Sequence, residues 1–88
     1  MKSATHPVQI TNEEAIVLQQ ISESGEEDIV SLARGLRMNR SRVMQHLDHL
    51  KHKGLITIKA TYGDWWVRTS AKGTRLVRYM WPEMQMSY

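Results

Sequence analysis

Apolar side chains recur every three or four positions in three successive segments of the first half of the chain, with polar residues between them. This spacing predicts three amphipathic helices, because 3.6 residues per turn bring such positions onto one face. The predicted helices run over about 11–24, 28–36 and 39–53. Their apolar stripes consist of Ala15, Val17, Leu18 and Ile21, then Ile29, Leu32, Ala33 and Leu36, and then Val43, Leu47 and Leu50.

Capping residues mark where each predicted helix begins. Thr11 and Glu14 have the spacing of a capping box, in which the Thr hydroxyl and the Glu carboxylate each accept a hydrogen bond from the other residue's backbone. Asp28 and Asn39 are good N-caps for the second and third helices. Gly54 ends the third helix, because glycine adopts a positive φ at low cost. Because the second predicted helix ends at about 36 and the third begins at about 39, the connection between them is very short.

The apolar spacing changes from helical to alternating after the third helix. Residues 55–61 are rich in β-branched side chains and predict a strand, and 66–69 predict the strand that returns. A two-residue turn at Gly63-Asp64 would pair Ala60 with Val67 and direct both toward the core. We expect Trp65 to be structural and Trp66 to be exposed. In this register the outer face of the hairpin carries Lys59, Thr61, Trp66 and Arg68.

A fourth helix follows the hairpin. Ser70 caps it, Leu76, Val77 and Met80 form its apolar face, and Pro82 stops it. The predicted fold class is therefore mainly α with a small β-hairpin, in the order α-α-α-β-β-α. Residues 11–82 are expected to form one domain, with 1–10 as a flexible lead-in and 83–88 as a C-terminal tail. A chain of 88 residues buries a modest core but not a large enclosed active site.

Charge is distributed unevenly along the chain, which the net charge of +3 conceals. Residues 11–28 contain six acidic side chains and no Lys or Arg, whereas residues 34–59 contain seven Lys and Arg against Asp48 alone. Such asymmetry allows one surface to attract a polyanion while another repels it. Charge by itself is also consistent with a solvated face that binds nothing.

Several function classes are disfavoured by what the sequence lacks. Without cysteine there are no disulfides, thiolate metal sites or cysteine nucleophiles, and no stretch is apolar enough for a signal sequence or a membrane span. No nucleophile elbow or glycine-rich phosphate loop is present. We therefore expect a cytoplasmic protein that is not an enzyme and has no cofactor and no membrane association.

Three histidines at a spacing of three residues raise the question of a metal site. His46, His49 and His52 sweep about 120° of helix surface, so all three cannot easily converge on one ion. No carboxylate-histidine motif accompanies them in the sequence. The expectation is that no metal is bound and that these histidines are polar surface or phosphate contacts.

The segment 29–56 resembles the helix-turn-helix and following strand of winged-helix regulators such as the MarR and ArsR families. Thr69-Ser70-Ala71-Lys72-Gly73 is similar to the Leu-Thr-x-Lys-Gly that opens the next MarR helix, with Thr69 where that family has Leu. The resemblance covers residues 28–76 and implies a winged helix-turn-helix fold and a DNA-binding transcriptional regulator. The slots that carry it are Leu32-Ala33, Leu36, Asn39, Val43, Leu47, Leu50 and Lys53-Gly54-Leu55-Ile56.

Helical periodicity identifies the candidate DNA-contacting face of the third helix. With Val43, Leu47 and Leu50 directed inward, the side chains of Ser41, Arg42, Gln45 and His49 point outward. Arg fits guanine and Gln fits adenine in the major groove. Arg40 and the free backbone N–H groups behind the Asn39 cap suit a phosphate, and His46 joins them as a polar contact. The wing residues Lys59 and Arg68 would follow phosphates, with Thr61 and Trp66 beside them.

Two alternatives concern the partners of the domain. A winged helix can instead serve as a protein–protein interaction module within a larger assembly, and any three-helix domain needs a polar outer face. A homodimer through helix 11–24 and helix 70–81 is expected, since Ile16 lies outside the apolar stripe of its helix. The end of the chain also holds large apolar groups: Met80, Trp81, Met84, Met86 and Tyr88. In the alternative monomer, Trp81 and the methionines fold back onto the first helix.

Overall fold

A computed structural model describes residues 9–81, which form four helices and three strands. In chain order these are α1 (Asn12–Ser24), β1 (Glu26–Asp28), α2 (Ile29–Leu36), α3 (Arg40–His52), β2 (Ile56–Thr61), β3 (Asp64–Thr69) and α4 (Ala71–Met80). Most of the predicted lead-in and all of the predicted tail, with Met84, Met86 and Tyr88, lie outside the described residues. Within 9–81 there is no helix with the length and apolarity to cross a membrane.

All four predicted N-caps are confirmed by hydrogen bonds to the first turn of the helix that follows. Thr11 and Glu14 form the complete capping box, with both side-chain to backbone distances at 3.1 Å. Each of the other caps accepts a bond from the backbone N–H three positions later, as Asp28 does from Ser31, Asn39 from Arg42 and Ser70 from Gly73. Local sequence therefore fixes where every helix begins.

The strand β1 was not predicted, and it extends the hairpin to an antiparallel sheet in the order β1-β3-β2. Its three residues, Glu26-Glu27-Asp28, are all acidic and carry no alternation of apolar and polar side chains. They pair because β3 has a free edge, with Glu26 opposite Arg68 and Asp28 opposite Trp66. Tertiary context thus decides the conformation of a segment whose own preference is weak.

The hairpin register differs from the predicted one, and the difference lies in the turn. Tyr62 and Gly63 are the two turn residues and both have positive φ, the pattern of a type I′ turn. Val67 consequently pairs with Ile58 rather than with Ala60. A shift of two residues in the partner leaves each side chain on its original face. Four side chains therefore still share the outer face, as expected: Lys59, Thr61, Trp66 and Arg68.

The expectation for the two hairpin tryptophans was wrong. Trp65 is 43% exposed, whereas Trp66 is half-buried. Trp66 lies on the middle strand between Asp28 of β1 and Lys59 of β2, so it has neighbours on both sides. Trp65 is on the core face but pairs only with Ala60, in a row that β1 does not reach. Its position near the turn, and not its face, exposes it.

The core lies between the four helices and the sheet, and α4 contributes Leu76 and Val77 to it. Ala33, Leu36, Met80 and Trp81 are only partly buried but pack against it. The packing of Met80 and Trp81 on the chain's own core agrees with part of the monomeric alternative. The fully buried side chains are those of Val17, Leu18, Ile21, Leu32, Val43, Leu47, Leu50, Leu55 and Val67.

The first turn of α4 lies directly against the chain just before β2. Ser70 donates its backbone N–H to the Leu55 carbonyl at 2.9 Å and its hydroxyl to the Gly54 carbonyl at 2.6 Å. A Cβ atom on Gly73 would come within 2.0 Å of the Leu55 carbonyl oxygen, so no larger residue fits there without movement of the backbone. This contact fixes α4 on the base of the hairpin.

Candidate nucleic-acid interface

The helix α3 is anchored by one face and presents the opposite face to solvent. Val43, Leu47 and Leu50 are completely buried, as the periodicity predicts. His46 is the exception among the contacts predicted at α3, because its side chain is only 13% exposed. The exposed members of the set predicted at this helix and its N-cap are Asn39, Arg40, Ser41, Arg42, Gln45 and His49.

The N-terminus of α3 is exposed and carries donors suited to an anion. Asn39 uses its side-chain oxygen for the cap, accepting from the backbone N–H of Arg42 at 2.8 Å. The backbone N–H groups of Arg40 and Ser41 have no acceptor within the helix, since they belong to its first turn. They point out of the helix end together with the positive end of its dipole, an arrangement that favours a phosphate.

Arg42 does not project freely from this face, because Glu13 of α1 binds it. The Arg42 Nε donates to Glu13 Oε1 at 3.1 Å, and the Arg42 Nη2 forms a close second bond with Glu13 Oε2. His46 Nε2 lies 2.8 Å from the same Glu13 Oε1. A fork-to-carboxylate pair of this kind is the geometry that Arg otherwise uses on guanine or phosphate.

The neighbouring acid, Glu14, binds the other end of α3. Glu14 is only 3% exposed, and its Oε2 lies 3.0 Å from His49 Nδ1. Its Oε1 accepts from Lys53 Nζ at 2.8 Å and from the Thr11 backbone N–H at 3.1 Å. We call the whole set of side chains that join α1 to α3 the α1–α3 clamp, namely Glu13, Glu14, Arg42, His46, His49 and Lys53.

Both carboxylates of the clamp are held in the ionised form. Hydrogen bonds from Arg42 and then from His46 lower the pKa of Glu13. Burial acts to raise the pKa of Glu14, but hydrogen bonds from Lys53, the Thr11 backbone and His49 together outweigh it and leave this pKa lowered as well. Two negative charges therefore lie between α1 and α3 at neutral pH, Glu13 at the border of the predicted DNA face and Glu14 buried beneath it, and each is paired with a cation.

Sequence reasoning missed the clamp because its members are 29 to 39 residues apart in the chain. A signal was nevertheless present in the spacing. The four clamp residues on α3 follow one another at intervals of four, three and four, which places them along one edge of the helix. These are Arg42, His46, His49 and Lys53, and a stripe of basic side chains on one edge indicates an acidic neighbour.

An open groove of about 360 Å³ lies where the clamp meets the free part of α3. Three members of the clamp line it, namely Glu13, Arg42 and His46. Asn39, Ser41 and Gln45 also line it, and no side-chain bond to another part of the protein engages Ser41 or Gln45 among residues 9–81. We call Arg40, Ser41 and Gln45 the open edge of α3. These side chains remain available for a ligand without breaking any contact.

The outer face of the sheet mixes both signs of charge. One row across the three strands reads Asp28, Trp66 and Lys59. The next reads Glu26, Arg68 and Thr57. Lys59 and Arg68 are both exposed, but Arg68 has an acidic residue directly beside it on β1. The unpredicted strand thus places an acidic residue directly beside one predicted wing cation, Arg68, whereas Trp66 separates Lys59 from β1 and Thr61 lies in a row that β1 does not reach.

The clamp also brings together possible metal ligands. Glu14, His46 and His49 each offer one ligand atom, and these atoms lie within 4.8 Å of one another. The sequence-based objection to a metal site, that no carboxylate accompanies the histidines, therefore does not hold in three dimensions. His52 does not belong to this group.

Comparison with known proteins supports the winged helix-turn-helix fold. The family model for the bacterial regulatory proteins of the ArsR family matches residues 15–57, just under half of the chain. This match spans most of α1, then β1, α2, α3 and the start of β2. None of the curated proteins matches the sequence significantly.

Solved structures of MarR and of two other proteins have the same fold. A mutant of MarR from E. coli in complex with operator DNA superposes with a TM-score of 0.79 at 20% identity, over 86% of this chain and 56% of that one. Streptococcus pneumoniae FabT in complex with DNA gives 0.80 at 16% identity, over 89% and 57%. Bordetella bronchiseptica BpsR gives 0.78 at 18% identity, over 92% and 59%. The chain thus spans less than three-fifths of the length of these structures.

Proposed function

We propose that this chain, a winged helix-turn-helix protein similar to regulators of the ArsR and MarR families, binds double-stranded DNA sequence-specifically as a small transcriptional regulator. The helix α3 would lie in the major groove, and the hairpin 55–69 would act as the wing. The protein would act by binding alone, without catalysis. The proposal is supported by the winged-helix fold that this chain shares with MarR and FabT and by the exposed face of α3.

The observation that carries the proposal is the open edge of α3, on a fold shared with two proteins whose structures were solved with DNA. Gln45 and Ser41 project from the exposed face of a helix whose other face is fully buried. Gln pairs with adenine through two hydrogen bonds, and Ser accepts or donates with either type of base. Arg40 and the exposed helix N-terminus supply the phosphate contact that sets the position of the helix.

The clamp gives Arg42 a different role from Gln45. Arg42 can reach a base or phosphate only by leaving Glu13, or by bringing Glu13 with it. Exchange of one charged partner for another costs little when both are solvent-accessible, and the Arg42 and Glu13 side chains are 54% and 40% exposed. We infer that DNA competes with Glu13 for Arg42, while His46 and His49 border the contact.

The wing supplies affinity more than specificity in this proposal. Lys59 and Arg68 are exposed long cations on one face, and each phosphate that such a cation neutralises releases counterions. Thr61 and Trp66 share the same face and complete the predicted wing contact. Since Glu26 lies beside Arg68, Lys59 is expected to contribute more of this affinity.

A homodimer through α1 and α4 remains part of the proposal. One winged helix contacts one half-site, so two-fold symmetry doubles the contacts on a pseudo-palindrome. Ile16 of α1 is 49% exposed and Tyr79 of α4 is 60% exposed, which leaves apolar surface on both helices. Met80 and Trp81 are already partly used within the chain, so the interface would depend mainly on the remaining surface of these helices.

Selection of bound sequences from a random duplex pool tests the function directly. We expect one enriched motif, with two half-sites in inverted orientation and two chains per duplex if the dimer is correct. Affinity for random duplex should fall steeply as salt is raised. Absence of binding to any duplex at low salt would contradict DNA binding and favour a protein–protein interaction module.

A further inference from the structure

A cluster of ligand-type side chains within the clamp has chemistry that DNA binding does not use. Glu14, His46 and His49 place a carboxylate oxygen and two imidazole nitrogens within 4.8 Å of one another. We propose that these three residues bind a divalent transition-metal ion of the zinc class, with water as the fourth ligand. The site would join α1 to α3 from beneath the predicted DNA face.

The ligand set fits that class of ion. Two imidazoles with one carboxylate are a recurrent Zn²⁺ set, and zinc bonds of about 2.0–2.2 Å place neighbouring ligand atoms about 3.4 Å apart. The three ligand atoms therefore need to move inward by about an ångström or less, which side-chain torsions supply. Imidazole ligands also favour Zn²⁺, Co²⁺ or Ni²⁺ over Mg²⁺, which takes oxygen ligands.

The positions of the two histidines on α3 allow both to bind the same metal ion. His46 and His49 are three residues apart and so lie on the same side of the helix, toward α1. Glu14 is held in place by the capping box and by burial, so the carboxylate is already ordered. In known metal sites, groups that hydrogen-bond to a ligand orient it toward the metal. Glu13 orients His46 in this way, because Glu13 Oε1 lies 2.8 Å from His46 Nε2.

One atom in the cluster lacks a partner. His46 Nδ1 is buried and has no hydrogen-bond partner among residues 9–81. A buried polar atom of this kind carries a cost unless something binds it. The two full cations of the clamp, Arg42 and Lys53, already pair with the two carboxylates. The imidazoles are thus not needed to balance charge, and their lone pairs can serve an ion.

The side chain that competes with a metal ion for Glu14 is Lys53, a cation whose Nζ lies 2.8 Å from Glu14 Oε1. A divalent ion beside Glu14 would repel this ammonium, and the Lys53 side chain is 33% exposed and able to swing outward. Removal of this positive charge should therefore strengthen metal binding. A purely structural ion-pair network predicts no such gain.

The test is Zn²⁺ binding by the full chain, without an added histidine tag and without DNA, followed by calorimetry and by the visible absorption of Co²⁺. We expect one ion per chain, and no competition by Mg²⁺. His49→Gln should weaken Zn²⁺ binding at least tenfold, and His46→Gln likewise. His52→Gln, an exposed histidine of the same helix outside the cluster, is the matched control and should change affinity less than twofold.

Two further measurements keep the proposal falsifiable if a variant folds poorly. Lys53→Gln should bind Zn²⁺ several-fold more tightly, and Zn²⁺ should shift the imidazole NMR signals of His46 and His49 but not of His52 in the unmodified protein. Failure of the wild-type chain to bind Zn²⁺, or equal affinity in His49→Gln and His52→Gln, would overturn the site. Because no DNA is present, that failure would leave the proposed DNA function untouched.

Discussion

The two edges of α3 carry similar residue types but differ in what they already bind. The open edge, with Arg40, Ser41 and Gln45, is exposed and free of side-chain bonds to the rest of residues 9–81. The other edge belongs to the α1–α3 clamp, where Arg42 and Lys53 pair with Glu13 and Glu14. The open edge is therefore expected to recognise DNA, and the clamp edge to hold α3 in place. A polar side chain can bind a base only if it is free to leave its present partner.

The two acids of the clamp also differ, and this difference gives the largest expected effect. Glu14 is buried with three hydrogen-bond partners, whereas the Glu13 side chain is 40% exposed. With a chelator present, Glu14→Gln should reduce the free energy of unfolding by about 2–4 kcal/mol, because Lys53 and His49 lose a buried anion. Urea denaturation of Glu14→Gln and Glu13→Gln measures the contrast. Equal stability of the two variants would show that Glu14 does not anchor α3.

Glu13 has its expected effect on DNA binding instead of on folding. Glu13→Gln removes a negative charge from the predicted interface and releases Arg42, so random duplex should bind roughly three- to tenfold more tightly at low salt. The slope of log affinity against log salt should steepen by about one unit. Fluorescence anisotropy at several salt concentrations measures both. Weaker binding would mean that Glu13 orients Arg42 toward DNA and does not compete with it.

The smallest expected effects on DNA binding are those of substitutions in the wing. Here too, two residues of similar type, Lys59 and Arg68, differ in their neighbours. Lys59→Ala should flatten the salt slope by about one unit on specific and random duplexes alike. Arg68→Ala should do less, because Glu26 lies beside Arg68 in the adjacent strand. The same anisotropy titrations serve for both variants. A larger change from Arg68 than from Lys59 would place the acidic strand away from the DNA and assign Arg68 as the main wing contact.

The sequence was sufficient for the elements whose signals are local. Each N-cap is satisfied within its own first turn, and the buried stripes follow from 3.6-residue periodicity, so Thr11, Asn39 and Val43 could be placed from neighbouring residues alone. The outer face of the hairpin was also correct despite the wrong turn, because faces repeat every two residues. The type I′ turn itself required Tyr62 to adopt positive φ, which its residue type does not indicate.

Features that depend on distant partners were not predictable in the same way. β1 exists because β3 has an unpaired edge, and nothing in Glu26-Glu27-Asp28 announces a strand. Glu13 and Arg42 are 29 residues apart in the chain. Periodicity predicts that each lies on a polar surface, but it does not show that the two side chains are in contact. For the same reason, a carboxylate near His46 and His49 could not be inferred from the sequence. Such contacts are determined by how helices pack.

The measurement that tests the account most directly is the affinity of Gln45→Ala for the selected duplex, compared with Arg75→Ala. Gln45 lies on the open edge, whereas Arg75 is an exposed residue of α4 and serves as the control for a surface truncation. We expect Gln45→Ala to cost about 1–3 kcal/mol of binding on the selected site, with unchanged stability and unchanged affinity for random duplex. Arg75→Ala should retain the discrimination between the two duplexes. If Gln45→Ala binds the selected site as wild type does, the open edge of α3 does not read DNA.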